Sequence, residues 1–286
     1  MAEAKCPGTC GELLQGWLLG SEKLVSCPIN MYSTVSVTNG VQHQTVMPLI
    51  EAAIQQSLNF FHFPDDYRYQ LAVEHSSELP IAKGYASSTA DICATVMAIS
   101  RHFNKEISPD DIAKIASTLD PCDSTMFKGL ALLDHNNGTL IKRYSSSYLP
   151  SVFILENEQT LLTKDFHRIN RHQNLLNSES NMHRAFCTFK QGIVSNNPTL
   201  LGLASTMSAK ENQHIRQTPL FDMILRIAEN HQLYGVCLAH SGSIVGLLYD
   251  ENSHDIDKVI TELHHSHCFS VYNKQRKAQI IGGGII

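Results

Sequence analysis

Apolar positions along the chain switch between two spacings, and the switches mark out the elements. Residues 24–38 (LVSCPINMYSTVSVT) crowd β-branched side chains and predict a strand. Ile50, Ile54, Leu58 and Phe61 recur at helical spacing, which predicts a helix over 48–61. Leu71 and Val73 alternate within 68–75 and predict a second strand, followed by a loop over Ser76–Gly84. Ile92, Val96, Ile99 and Phe103 then define the apolar stripe of a helix that starts at Ser87. Ser108-Pro109-Asp110-Asp111 opens another helix. Ser108 is its N-cap, Pro109 takes the first turn with no donor to lose, and Asp111 meets the positive dipole end. Ile112, Ile115 and Leu119 carry that helix to Asp120-Pro121.

Beyond Ser145–Pro150 (SSSYLP), the best boundary candidate, the pattern predicts a strand over Val152–Glu156 and a long polar loop. Helices follow near 179–194, 198–209 and 219–231, then strands at 234–238 and 244–249, a helix at 254–265 and two short strands. Helices and strands mingle without a βαβα rhythm. The fold class is therefore α+β, built from two sub-domains.

Composition narrows the class of function. The 286 residues carry 22 Lys+Arg and 27 Asp+Glu, for a formal charge of −5. That balance gives no electrostatic footprint for nucleic acid or anionic lipid, so neither is expected as a partner. No apolar run reaches the ~18 residues a membrane helix needs. The opening MAEAKCPGTCGE has no apolar core of a secretory signal, which points to a cytoplasmic protein. The eight cysteines are scattered, and read as reduced thiols in that setting. Cys6 and Cys10 form only half of a zinc pattern, and His264, His265, His267 and Cys268 read as a solvated helix end.

Candidate chemistry sits in three short motifs. The sharpest runs Pro80-Ile81-Ala82-Lys83-Gly84-Tyr85-Ala86-Ser87-Ser88-Thr89-Ala90-Asp91, between a strand and a helix start. Small residues there would let phosphate oxygens approach uncapped backbone N–H groups, with Ser87, Ser88 and Thr89 adding hydroxyls and Lys83 a cation. No GxxxxGK[ST] loop is present. The plainer reading is a serine N-cap behind an ordinary loop. The second motif is Pro7-Gly8-Thr9-Cys10-Gly11-Glu12. The third is Ala239-His240-Ser241-Gly242-Ser243-Ile244-Val245-Gly246, which a β-hairpin turn would also explain.

The ordered trio resembles the signature motifs of the GHMP kinase superfamily: an N-terminal PG…GE segment, a P-x3-G-L-G-S-S-A-A phosphate loop and a late S-G-A-G-like turn. Within it, CGELLQGWLLGSEKLVSCPI, AKGYASSTADI, DPCDST and LYGVCLAHSGSIVGLL resemble the branch that phosphorylates free L-threonine for cobalamin synthesis. The chain departs from the general pattern at Thr9, where a basic residue is common, at Ala86 and Thr89 in the loop, and at Ser243-Ile244.

The resemblance implies a two-sub-domain GHMP kinase fold, with an S5-like ATP-binding half (1–147) and a ferredoxin-like half (148–286). It implies ATP and Mg²⁺, with residues 80–90 holding the nucleotide and Ser88 contacting phosphate and metal. It implies a catalytic Asp123, with Asp120 as alternative or metal ligand, although both also suit turns. Glu12, Ser241, Gly242 and Ser243 are its substrate-binding candidates, and Glu12 could equally serve in a structural ion pair. Asp91 is open between complementing the helix dipole and meeting the metal. Asp165 and Arg168, in TKDFHR, are candidates for the amino-acid head group. Another superfamily kinase, such as a homoserine kinase, and a non-catalytic ligand sensor remain the alternatives. The sequence leaves a homodimer open.

Overall fold

Two long antiparallel strands open the chain in the computed structural model, which describes residues 1–42, 45–160, 169–239 and 242–286. β1 (Ala2–Leu18) and β2 (Ser21–Asn39) are joined at Leu19-Gly20, both with positive φ (51° and 84°), the twist that a two-residue hairpin demands. β2 contains the expected strand. β1 was not legible as one, because Pro7-Gly8-Thr9-Cys10-Gly11 interrupts any alternation. Its register with β2 shifts at three points between Pro7 and Leu14. These are bulges, which re-aim the strand where the second motif lies.

α1 (Pro48–Phe60), α2 (Ser87–His102) and α3 (Pro109–Leu119) form where the periodicity placed them. The Ser108 hydroxyl caps α3 by accepting from the Asp111 N–H at 3.1 Å, and donates in turn to the Asp111 carboxylate. β3 spans Leu71–Ser77. Residues 68–70, expected to join it, close a 3-10 turn instead. β4 (Leu130–Asp134) and β5 (Thr139–Tyr144) form a hairpin that the pattern did not announce.

The second half brings β6 (Ser151–Glu156), α4 (His172–Val194), α5 (Pro198–Asn212), α6 (Phe221–Asn230), β7 (Gly235–Leu238), β8 (Ile244–Tyr249), α7 (Ile256–His265) and β9 (Lys274–Gln279). α4 starts seven residues before the expected 179, since its polar first turns carry little periodicity. The two terminal strands reduce to β9 and a single bridge from Ile280 to Ile29.

Among the described residues nine strands form one sheet, ordered β5-β4-β2-β1-β7-β8-β6-β9, with β3 also pairing with β2. Every strand pairing is antiparallel. The halves meet where β1 touches β7, at the single register pair Glu12–Leu238. α2 lies against β1 and β2, whereas α4 and α5 reach across to β1. A large core fills the space under these helices. A second core packs β6, β7 and β8 against α6 and α7 around Leu155, Ile224, Val236, Leu247 and Leu263. Burying each such side chain contributes about 1.5–3 kcal/mol.

A buried ion pair ties the β1–β2 hairpin to α4. Arg171 donates to Glu22 through Nε (3.1 Å) and Nη2 (2.7 Å), and His135 Nε2 stands 3.8 Å from the same carboxylate. Burial alone would raise the Glu22 carboxyl, but the hydrogen bonds and charges of His135 and Arg171 outweigh it and hold the group well below the usual range. Arg171→Met strands that carboxylate, and is expected to cost about 3–5 kcal/mol in urea unfolding. The double variant Arg171→Met/Glu22→Gln should regain most of the loss. Equal instability of single and double variants would place the cost in packing rather than charge.

Candidate active site

The three motifs converge at the seam between the halves. The loop before α2 is held from one side by β1: the Thr9 N–H donates to the Tyr85 carbonyl at 3.0 Å and the Gly11 N–H to the Gly84 carbonyl at 3.3 Å. From the other side comes the turn between β7 and β8, where the Ser243 N–H donates to the Lys83 carbonyl at 2.8 Å. Backbone packs directly on backbone here. A Cβ on Gly242 would stand 2.4 Å from both the Gly84 Cα and the Lys83 carbonyl oxygen. A Cβ on Gly84, whose φ is +98°, would stand 2.1 Å from the Ala239 Cβ. Only glycine fits either position.

This clamp aims the start of α2. The N-cap is Ala86 in the left-handed region (φ 55°, ψ 34°), and no side chain caps the helix. The serine N-cap reading therefore does not hold; Ser87 is already the first helical residue. The leading N–H groups and the positive end of a 16-residue helix are left without a capping side chain, the arrangement that favours phosphate. Ser88 keeps a partly exposed surface and its hydroxyl bonds none of the described residues, whereas Ser87 and Thr89 are buried. Pro80, Ile81 and Ala82 form the outer part of the loop, with Ile81 exposed and Ala82 at φ 57°. Ala90 closes the first turn onto the Ala86 carbonyl. Lys83 is turned away from α2's opening: its ammonium donates to the carbonyls of Asn157 (2.8 Å) and Gln159 (2.9 Å).

Asp123 is placed by α2 itself. The Thr89 Oγ1 accepts its N–H at 3.1 Å, and the Ser26 hydroxyl on β2 donates to its Oδ1 at 3.1 Å. Ser26 and Ser124 also exchange hydrogen bonds, which locks this segment to β2. Burial pushes the Asp123 carboxyl up, the Glu12 charge pushes it further and Asp120 adds to that, while the Ser26 bond offsets part. The group is raised to about 8. Glu12 is buried at the β1–β7 seam, and Asp120 is the residue that ends α3.

A divalent cation fits this chemistry. The charges of Glu12 and Asp120 both bear on Asp123, and the partly exposed Ser88 hydroxyl stands at a helix start that no side chain caps. Among the described residues no three Cys, His or acidic groups form a metal cage. Mg²⁺ needs none, since it takes most of its ligands from phosphate and water.

Other candidates fall elsewhere. Asp91 neither complements the dipole nor faces the loop. It accepts from Ser33 (2.5 Å) and lies 2.9 Å from His75 Nε2, pinning α2 to the sheet. Thr9 is buried and braces the β1 bulge by accepting from the Cys27 N–H. The Ser243 hydroxyl is buried without a hydrogen-bond partner among the described residues, an arrangement that costs about 1–3 kcal/mol and leaves a polar atom for a ligand. Ser241, Asp165 and Arg168 lie outside the described residues. All eight cysteines are free thiols and seven are buried; Cys10 packs against Cys237 and Cys6 against Thr125. Sequence reasoning missed Ser26, Arg216, which donates to the Gly242 carbonyl, and Glu156, which accepts from Tyr85. Ser26 falls inside the CGELLQGWLLGSEKLVSCPI block without standing out in it, Arg216 and Glu156 lie in no motif, and proximity in space reveals all three.

Comparison with known proteins agrees with this geometry. Residues 49–131 match the family described as GHMP kinases N terminal domain. The chain is 40% identical to an L-threonine kinase of Citrobacter freundii over 285 residues, covering 100% of this chain and 99% of that protein. It is 38% identical to the L-threonine kinase of Salmonella typhimurium, covering 100% and 95%. In fold it is similar to a homoserine kinase from Cytophaga hutchinsonii, with a TM-score of 0.71 at 13% identity over 100% of this chain and 96% of that one.

The raised Asp123 carboxyl has a measurable consequence. Its folded value, about 8, exceeds the ordinary 3.8, so its share of stability is present at acid pH and lost as pH climbs through that range. Thermal unfolding of the parent chain should weaken between about pH 5 and pH 8 more steeply than that of Asp123→Asn. Parallel profiles would show that Asp123 ionises normally.

Proposed function

The chain belongs to the GHMP kinase superfamily, and on that premise we propose that it transfers the γ-phosphoryl group of ATP to the side-chain hydroxyl of free L-threonine. The observation that carries this is the uncapped start of α2, clamped between β1 and the Gly242 turn with Asp123 bonded to its first turn. The 38–40% identity to L-threonine kinases over the whole chain supports the choice of acceptor. Residues 1–147 carry the nucleotide loop, residues 148–286 supply the closing turn, and the acceptor lies between them. The product, O-phospho-L-threonine, suits the aminopropanol arm of cobalamin synthesis, and the cytoplasm is its place. No helix among the described residues is long and apolar enough to cross a membrane.

The transfer asks for positioning and charge neutralisation more than for covalent chemistry. Backbone N–H groups of residues 87–89 hold the triphosphate, and the Ser88 hydroxyl adds a ligand to phosphate and metal. Ser88 and Asp120 would hold Mg²⁺ together with the phosphates, and the ion would supply neutralising charge there. The threonine oxygen forms a bond to the γ-phosphorus as the bond from that phosphorus to the β-phosphate oxygen breaks, and the electron pair leaves with ADP. Asp123 orients the attacking hydroxyl and takes its proton, a task its raised carboxyl suits near neutral pH. Glu12, Gly242 and Ser243 line the acceptor side. Threonine's methyl is worth only ~1–3 kcal/mol of recognition, so serine is the natural competitor.

The test is ADP release from Mg-ATP with threonine, serine, homoserine, mevalonate and galactose. Turnover with threonine is expected. Turnover with homoserine but not threonine would move the chain to another kinase of the family, and nucleotide binding without turnover would make it a sensor. Ser88→Ala should reduce turnover by about 100-fold through lost positioning of phosphate charge. Near-normal turnover would remove Ser88 from the site.

A further inference from the structure

We propose that Glu156 is a positioning residue for the nucleotide loop, and that the Tyr85–Glu156 hydrogen bond is the latch through which the C-terminal half aims the start of α2. The inference rests on the proposed kinase reading. Tyr85 sits inside the loop, between Gly84 and the cap residue Ala86, and is fully buried. Its two ends are held by different halves of the molecule. The backbone carbonyl accepts from Thr9 on β1, and the phenol O–H donates to Glu156 Oε2, at the end of β6, at 3.0 Å.

Glu156 is 1% exposed, an expensive place for a carboxylate. Two cations on the neighbouring strand β9 stand close: Lys274 Nζ is 3.8 Å from Oε1 and Arg276 Nε is 3.9 Å from Oε2. The Arg276 guanidinium also lies 6.0 Å from the centre of the Tyr85 ring. Among the described residues Oε1 has no hydrogen-bond partner, and the tyrosine bond is the one direct hydrogen bond this side chain makes there. Just past Glu156, the carbonyls of Asn157 and Gln159 take the Lys83 ammonium. The end of β6 thus grips loop residues 83 and 85 by their side chains.

The loop needs such a grip. Ala82, Gly84 and Ala86 all have positive φ, and for the two alanines this conformation is disfavoured. Ala86 has no capping side chain to fix it, although its conformation decides where the first N–H groups of α2 point. Freeing Tyr85 removes the side-chain anchor next to Ala86, and the N–H groups lose their aim. The nucleotide should feel this far more than the acceptor, which lies against other residues.

Tyr85→Phe keeps the ring and removes only the donor. Glu156→Gln keeps an acceptor and removes the charge, and Glu156→Leu removes both. The measurements are calorimetric binding of Mg-ADP, the two KM values and the melting temperature, all on the full chain. Tyr85→Phe and Glu156→Leu should weaken Mg-ADP binding and raise KM for ATP by at least about fivefold, with KM for threonine within about twofold. Glu156→Gln should stay near the parent, and adding Tyr85→Phe to Glu156→Leu should cost nothing more. Nucleotide binding by Tyr85→Phe within about twofold of the parent overturns the latch, as do equal rises of both KM values with a lowered melting temperature. A parent chain that binds no nucleotide would sink the kinase reading and the latch together, whereas a parent that binds while Tyr85→Phe binds equally well sinks the latch alone.

Discussion

Backbone packed against backbone at Gly84 and Gly242 is the constraint on which the rest of the site depends. Each position lacks room for a single extra carbon, and Gly84 also needs a φ of +98°. Because no side chain separates the two segments, the β7–β8 turn can bond the Lys83 carbonyl while β1 bonds the next two. The loop becomes the middle layer of a three-layer backbone stack. Its geometry is then set by the sheet on both sides, and a helix start that would otherwise fray stays uncapped and pointed outward.

The electrostatics follow from the same seam. Joining the halves at Glu12 buries one carboxylate beside Asp123, and the end of α3 brings Asp120. Such crowding is unfavourable in the protein alone and is relieved by a cation or a proton, the two species that a phosphoryl transfer has to manage. The distant Glu22–Arg171 pair shows the opposite solution. There a guanidinium sits in bidentate contact, and the carboxyl stays ionised. Glu22 and Asp123 are thus shifted in opposite directions, one by a guanidinium and an imidazole, the other by desolvation and neighbours of its own sign.

Much of this was legible in the chain. The stripe Ile92, Val96, Ile99, Phe103 located α2, which ends one residue short of Phe103, and Ser108-Pro109 located the start of α3. Both depend on interactions within a few residues. β1 was invisible because its bulged centre, Pro7 to Glu12, serves the seam rather than a regular ladder. Asp91 was misjudged for a related reason. Near a helix start an acid suggests the dipole, but His75 and Ser33, supplied by two strands, claim it instead. Lys83 read as a cation for phosphate, and the end of β6 takes its ammonium.

Local sequence alone determined which segments are helices, that small and hydroxylated residues lead into one of them, and that two glycine turns accompany it in a fixed order. Those features need only neighbouring residues, since capping, periodicity and turn chemistry act over a turn or two. Tertiary structure decided which side of each polar residue would be answered: Tyr85 by Glu156, Asp123 by Ser26 and Thr89, Asp91 by His75. Those pairs are separated by 16 to 97 residues. Their energies come from burial and charge at short range in space, quantities that no spacing along the chain encodes.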